Sequence, residues 1–254
     1  MFTSTLAITL ISLKTLNTPQ SAEDLGINQL KATISAYKDK LSVAGKILWS
    51  VEGGQDKGKV STVFQYVRPN RAYVRQNQGF GSKKESLLVC DGKLVVFTQN
   101  SALAQMNDTK YVFEPVKNPR TKKLLELESI YTIGQVGFLD RNIALDIIFD
   151  RDDNFIHLNG ILADVKKEES KMVNGKKCSI VTARMRVNYN AEANIPIQFA
   201  FDDSNLLVQI QTKESFNVGN KTESFMMTWD IETRVNDESA IDEKLFTLPV
   251  PDKG

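Results

Sequence analysis

The chain is poor in the side chains on which catalysis most often rests. Its 254 residues hold a single histidine, His157, and two cysteines, Cys90 and Cys178. One imidazole has no second one with which to share a metal, and the cysteines do not form a C-x-x-C pair, so soft-metal and dithiol chemistry lack their usual sequence basis. A charge excess is missing too: 32 Lys and Arg meet 31 Asp and Glu, leaving +1. Nucleic-acid binders normally carry a basic surplus that displaces counterions from phosphates. No apolar run approaches the roughly 20 residues of a membrane helix. What is present is ordinary for a globular chain, with 41% hydrophobic and 25% charged residues. That composition permits a core and excludes disorder, collagen and low complexity. The inventory points to a protein that is not an enzyme, carries no cofactor or metal and binds no nucleic acid.

Leu6 to Leu13 has the length of a signal-peptide apolar region, and polar Asn17, Thr18, Pro19 and Gln20 follow it. No Lys or Arg precedes the run, Lys14 closes it, and Ser21-Ala22 lacks a clean small-x-small cleavage site. Residues 1–22 are therefore read as a signal or N-terminal tail, with a buried strand as the alternative, and 23–254 as one domain. No cysteine follows the run, which argues against a lipid anchor.

Periodicity organises the rest. Ala22 to Lys38 predicts a helix, with Ile27, Leu30, Ile34 and Tyr37 on one stripe. From Leu41 to Val51 the period becomes two, with Val43, Ile47, Trp49 and Val51 on one face. Further strands are expected at Lys59–Val67, Arg71–Gln76, Glu85–Cys90, Lys93–Thr98 and Lys110–Glu114, with Asp91-Gly92 as a hairpin turn. A helical interlude follows: Asn118 as N-cap, Pro119 at the first position, helix formers from Lys122 to Glu128, and a second short helix over Phe138–Ile148. Strands return at Leu162–Val173, Cys178–Tyr189, Ile195–Phe201, Leu206–Thr212 and Phe225–Val235. No Pro, Gly or Ser linker separates the blocks. The expected fold is α+β, mostly antiparallel: one curved sheet of about ten or eleven strands interrupted by two or three helices.

Local motifs for chemistry fail on inspection. Gly53-Gly54-Gln55-Asp56-Lys57-Gly58-Lys59 approaches a phosphate loop, but Val60 stands where a hydroxyl should hold Mg²⁺ and a strand follows instead of a helix. Asp150, Asp152 and Asn154 open like a Ca²⁺ loop, yet Phe155 and Ile161 replace its Gly and bidentate Glu. Cys90 and Cys178 are either a long-range disulfide or two buried thiols. His157 has no triad partners in view, so a hydrolase is the weakest of the functional hypotheses.

Two stretches and the chain's end together resemble a known family. Val67-Arg68-Pro69-Asn70-Arg71-Ala72-Tyr73-Val74 is followed by Leu88-Val89-Cys90-Asp91-Gly92-Lys93, and the chain closes on Phe246-Thr247-Leu248-Pro249-Val250-Pro251. These resemble the R-P-N, L-V-S-D-G-K and F-x-F-x-P-P motifs of the outer-membrane lipoprotein carrier (LolA/LolB-like) superfamily. A related family of uncharacterised periplasmic proteins shares its fold. The resemblance implies an unclosed β-barrel around helices, an apolar cavity for lipid acyl chains, and Arg68 as a latch on the lid. The alternative for Arg68 is a surface residue at a strand end. The sequence departs from the carrier at Ala72 and Val74, which stand where the carrier has large aromatics, over Leu94–Phe97, which replace an aromatic-rich strand, and at Asn100, which stands where the carrier has Pro.

An acyl chain gains about 0.8 kcal/mol per buried CH₂, so an apolar wall suffices without any catalytic group. The candidate wall is Ile47, Trp49, Val51, Phe64, Tyr66 and Val96, and the candidate cover is Leu124, Leu125 and Leu127. The same residues would be plain core if the barrel were filled. The expectation is a monomeric, periplasmic or otherwise exported protein whose partners are lipid or lipoprotein acyl chains, with a membrane-bound lipoprotein exporter or receptor beside them. The alternative is an envelope sensor or scaffold that binds a protein partner.

Overall fold

The computed structural model describes residues 21–53, 58–77, 85–99, 110–118, 120–134, 143–149, 156–186, 192–218 and 221–248. The expected leader, the tip of the phosphate-loop-like turn, Asn100, Asp150, Asp152, Asn154 and the closing Pro249-Val250-Pro251 lie outside these residues, as does the side chain of His157.

Helix α1 (Ala22–Lys38) has the bounds that its periodicity predicts. The Ser21 hydroxyl accepts the Asp24 N–H at 3.1 Å and the Asp24 carboxylate accepts the Ser21 N–H at 3.4 Å, a capping box that satisfies two end groups reciprocally. Leu30, Ile34 and Tyr37 form its buried stripe.

The sheet has eleven antiparallel strands and two edges. From its middle, the chain meanders outward through β1 (Ser42–Glu52), β2 (Gly58–Val67), β3 (Arg71–Asn77), β4 (Glu85–Asp91), β5 (Leu94–Gln99) and β6 (Lys110–Pro115). It then meanders back from the opposite edge through β7 (Leu162–Val173), β8 (Lys176–Arg186), β9 (Ala193–Phe201), β10 (Leu207–Val218) and β11 (Lys221–Val235). Pairing of β1 with β11 joins the two halves, Val43 opposite Val235 and Trp49 opposite Trp229. The order β6-β5-β4-β3-β2-β1-β11-β10-β9-β8-β7 leaves β6 and β7 as the edges. This is the unclosed half-barrel that the resemblance implies.

That connectivity explains where the helices sit. The segment between β6 and β7 must cross from one edge of the sheet to the other. It carries α2 (Leu127–Gly134), α3 (Ile143–Ile148) and α4 (Ile156–Ile161). Buried side chains of α1, α2 and α3 join those of one sheet face in a single apolar cluster. The pleat sorts the strands: Val43 and Ile47, Phe64 and Tyr66, Ala72 and Val74, Leu88 and Cys90, Val95 and Phe97 all point to this inner face. Gly45 is required there. A Cβ on it would lie 2.4 Å from the Glu232 carbonyl oxygen and 2.6 Å from the Phe64 ring, so the missing side chain lets Phe64 lie across β1.

The outer face holds two smaller clusters. Tyr73, Val89 and Phe246 pack where the chain's last part runs over β3 and β4 in 3-10 turns at Glu238–Ala240 and Glu243–Phe246. Gln65 clasps this strap, donating to the Asp242 carbonyl at 2.7 Å and accepting the Asp242 N–H at 3.1 Å. Cys178, Ile180, Ala200 and Val208 form the other cluster.

The interlude differs from expectation. Asn118 caps no helix; it organises a tight hairpin in which Lys117 bridges to Leu124. Its side-chain oxygen accepts the N–H groups of Arg120 and Thr121 at 2.9 and 3.0 Å. The same Asx geometry that favours N-caps also builds turns, and here it builds a turn. The first interlude helix therefore begins at Leu127, the second is confined to Ile143–Ile148 within the described residues, and α4 is an addition that the period did not reveal.

Candidate functional site

Ile47, Phe64 and Tyr66 are buried in the inner-face cluster, Val51 is buried nearby, and Trp49 is half-buried against it. The indoles of Trp49 and Trp229 stack with centroids 6.1 Å apart, straddling the join between the two halves. Val96 departs from the expected wall. It pairs with Val89 and sits one residue out of phase with Val95 and Phe97, which places it on the outer face. Of the expected cover, Leu127 is fully buried and Leu125 packs half-buried against the core. Leu124 does not cover it: the hairpin holds this residue 54% exposed.

The inner face meets an aromatic plug that sequence reasoning missed. The Phe149 ring stacks on Tyr131 at 4.7 Å, and its edge contacts are to Tyr66 at 5.4 Å and Phe64 at 6.3 Å. Behind it, every residue of α3 is buried, and the Tyr131 hydroxyl donates to the buried Asp146 carboxylate at 2.9 Å. The signal was the segment Ile143–Phe149, which is apolar nearly all round, as a helix enclosed on all sides must be.

Tyrosines tie α1 to this face. The Tyr66 hydroxyl donates to the Tyr37 carbonyl at 2.9 Å, and the Tyr37 hydroxyl accepts the Leu207 N–H at 3.1 Å. Burial pushes both phenols well above the ordinary tyrosine range; the Arg68 guanidinium, 5.5 Å from the Tyr66 centroid, opposes this at Tyr66.

At the mouth, Arg68 reaches α2. Its Nη1 donates to Glu128 Oε1 at 2.8 Å, with the two side chains 18% and 17% exposed. The remaining buried polar atoms of the pair, Arg68 Nε and Nη2 and Glu128 Oε2, have no hydrogen-bond partner among the described residues. The Arg68 backbone N–H is held by the Leu41 carbonyl at 2.8 Å. Beside the pair lies a groove of 350 Å³ lined by Lys38, Asn118, Lys123, Leu124, Leu125 and Glu128, among others.

The cysteines are two free, buried thiols in different clusters. The Cys90 thiol donates to the Asn70 carbonyl at 2.8 Å, and burial pushes its pKa up to about 11. Burial raises Cys178 as well. Both thiols are held protonated at neutral pH, the reverse of what a nucleophile needs.

What these parts define is a half-barrel with an apolar inner face, covered by short helices and fastened at the mouth by an ion pair. No family model and no curated protein matches the sequence. Among solved structures, the chain is similar to the Mycobacterium tuberculosis lipoprotein LppX, at 12% identity and a TM-score of 0.38, over 82% of this chain and 93% of that one. It is similar to the Pseudomonas aeruginosa MucA/MucB complex at 12% identity and a TM-score of 0.40, over 84% of this chain and 59% of that one. A LolA superfamily protein, NE2245 from Nitrosomonas europaea, gives 9% identity and a TM-score of 0.30, over 88% and 97%.

Proposed function

We propose that the protein is a non-enzymatic, monomeric carrier of lipid or lipoprotein acyl chains, periplasmic or otherwise exported, described here in its closed form. The observation that carries the reading is the fastening of the cover. Helices of eight, six and six residues close an apolar face, and Arg68 of the sheet grips Glu128 of α2 at the mouth. An isolated helix this short is not stable in water, so the cover keeps its form only while it lies on the face. The latch is also incompletely satisfied among the described residues, where three buried polar atoms of the pair lack partners. Opening returns those atoms to water, which offsets part of the lost ion pair. An acyl chain that replaces Phe149 and its neighbours against Phe64 and Tyr66 recovers apolar burial at about 0.8 kcal/mol per CH₂. A membrane-bound exporter or receptor would deliver or accept that cargo.

Lipid extraction and mass spectrometry of protein purified from its native host tests this, together with titration by a fluorescent fatty-acyl probe. Bound lipid, or saturable uptake of the probe, is expected. Protein that is lipid-free and takes up no probe sinks the reading. The filled inner face favours a second reading, an envelope sensor or scaffold with a protein partner. A pull-down that recovers lipid and no protein counts against it.

A further inference from the structure

Antiparallel pairing brings the start of β1, the end of β2, the start of β5 and the end of β6 to one end of the sheet. Three large hydrophobic side chains stand exposed there, each on a different turn: Leu41 at 72%, Leu124 at 54% and Leu94 at 39%. Leu124 belongs to the hairpin Lys117–Leu124. Lys117, Arg120, Lys122 and Lys123 are all exposed, and the segment contains no acid. No carboxylate pairs with these four cations among the described residues. Four exposed cations thus stand within eight consecutive residues that hold no acid, in a chain whose net charge is only +1.

The hairpin is built to hold that display. The Asn118 carbonyl accepts the Lys122 N–H and the Asn118 N–H donates to the Lys123 carbonyl, both at 2.9 Å. Lys122 takes φ 59°, left-handed backbone that a lysine adopts where the surrounding turn enforces it. Of the acids at this end, Glu128 is engaged by Arg68 and Glu243 by Arg71, Asp91 accepts the N–H groups of Lys93 and Leu94 at 2.7 and 2.8 Å, Asp237 and Asp242 cap the two 3-10 turns, and Asp39 and Glu238 are exposed beside the start of β1 and the end of β11. Glu114 and Glu126 remain exposed at the margin.

We propose that this end docks on the surface of an anionic phospholipid bilayer. The cations would meet the headgroup charge while Leu41, Leu94 and Leu124 enter the interface. A bilayer fits better than an acidic protein because the exposed leucines come from three separate turns at one end of the sheet, one of them on the charged hairpin itself. Separate leucines of this kind suit a deformable apolar partner, which needs no single complementary pocket. The hairpin runs directly into α2, so the membrane contact lies next to the Arg68–Glu128 latch. Only that last link rests on the carrier reading.

Flotation of the full chain with vesicles of phosphatidylcholine, with and without phosphatidylglycerol, tests the proposal. Binding is expected to the anionic vesicles alone, weakening as salt rises. The double variant Arg120→Gln/Lys123→Gln should bind about twenty-five-fold more weakly, at about fivefold per charge removed. Leu124→Ser should also weaken binding. The pair Lys59→Gln/Lys213→Gln removes two exposed charges at the opposite end and should leave binding unchanged. Thermal denaturation of each variant separates lost docking from lost folding. Equal binding to neutral and anionic vesicles, no binding to either, or a double variant as tight as the parent overturns the proposal. Failure to take up an acyl probe while anionic vesicles still bind would instead overturn the carrier reading and leave this surface standing.

Discussion

At the scale of single residues, Gly45 and the Arg68–Glu128 pair carry consequences that their neighbours do not. A methyl group at Gly45 would press on the Glu232 carbonyl and the Phe64 ring together, and the backbone oxygen cannot rotate away. Gly45→Ala should cost about 1–3 kcal/mol, as overpacking of a filled core does, and urea denaturation will show it. A matching change at Gly175, whose Cβ would meet nothing within 4 Å, tests left-handed backbone alone, with φ at 78°. The latch behaves differently. Its partners are neither fully buried nor exposed, so Arg68→Ala should cost about 2 kcal/mol, between the surface and buried limits. Most of that loss would be the carboxylate left behind in the mouth. Adding Glu128→Ala should therefore restore part of the stability, and a double-mutant cycle reads the coupling directly. Strict additivity of the two losses would mean that the pair fastens nothing.

At the scale of elements, the sheet and its cover have different strengths. The strands of the central region are hydrogen-bonded on both sides, whereas α2, α3 and α4 are short and lie on an apolar face. Native-state hydrogen exchange should find the amides of α2 and α3 opening at lower free energy than those of β1, β2 and β11. Arg68→Ala should bring the α2 amides down further and leave β1 alone; simultaneous exchange of cover and sheet would contradict a lid that opens separately. The same division governs what could be read from sequence. A strand or helix with one exposed face writes its period into the chain, which is why α1, β7 and the hairpin at Asp91-Gly92 stand within a residue or two of their expected bounds. The cover is enclosed on several sides, so Ile143–Phe149 shows apolar content without a face, and its Phe149 plug had no period to announce it. Asn118 misled for another reason: its side chain serves a helix start and an Asx turn with the same bonds, and the choice depends on the bridge from Lys117 to Leu124. Val96 shows the sharpness of strand register. Moving it one place from Val95 sends it from the inner face to the outer one.

The whole molecule shares one electrostatic feature, the burial of groups that are neutral only while protonated. Cys90, Tyr37 and Tyr66 all lie in the inner cluster, and burial raises the pKa of each: Cys90 from an ordinary value of 9.0 to about 11, the tyrosines beyond their usual range. As pH rises through about 9, the unfolded chain gives up the Cys90 proton while the folded protein retains it. The native state then binds more protons than the unfolded one, and stability falls with pH. The Cys90 contribution is fully present below pH 9 and is lost as pH approaches 11; the tyrosines add to the decline from about pH 10 upward. The urea midpoint should therefore drop steadily over this alkaline range. Cys90→Ala removes one titrating group, so it should flatten the first part of the decline even though the smaller side chain lowers the midpoint at every pH. Ionisation of the phenols, followed by their near-ultraviolet absorbance, should coincide with unfolding and not precede it, since burial disfavours both phenolates and Tyr66 donates its proton to the Tyr37 carbonyl. A midpoint that stays level from pH 9 to 11 would show that these groups are reached by solvent in the native protein. The cover would then be open in solution far more than its packing against Phe64 and Tyr66 allows.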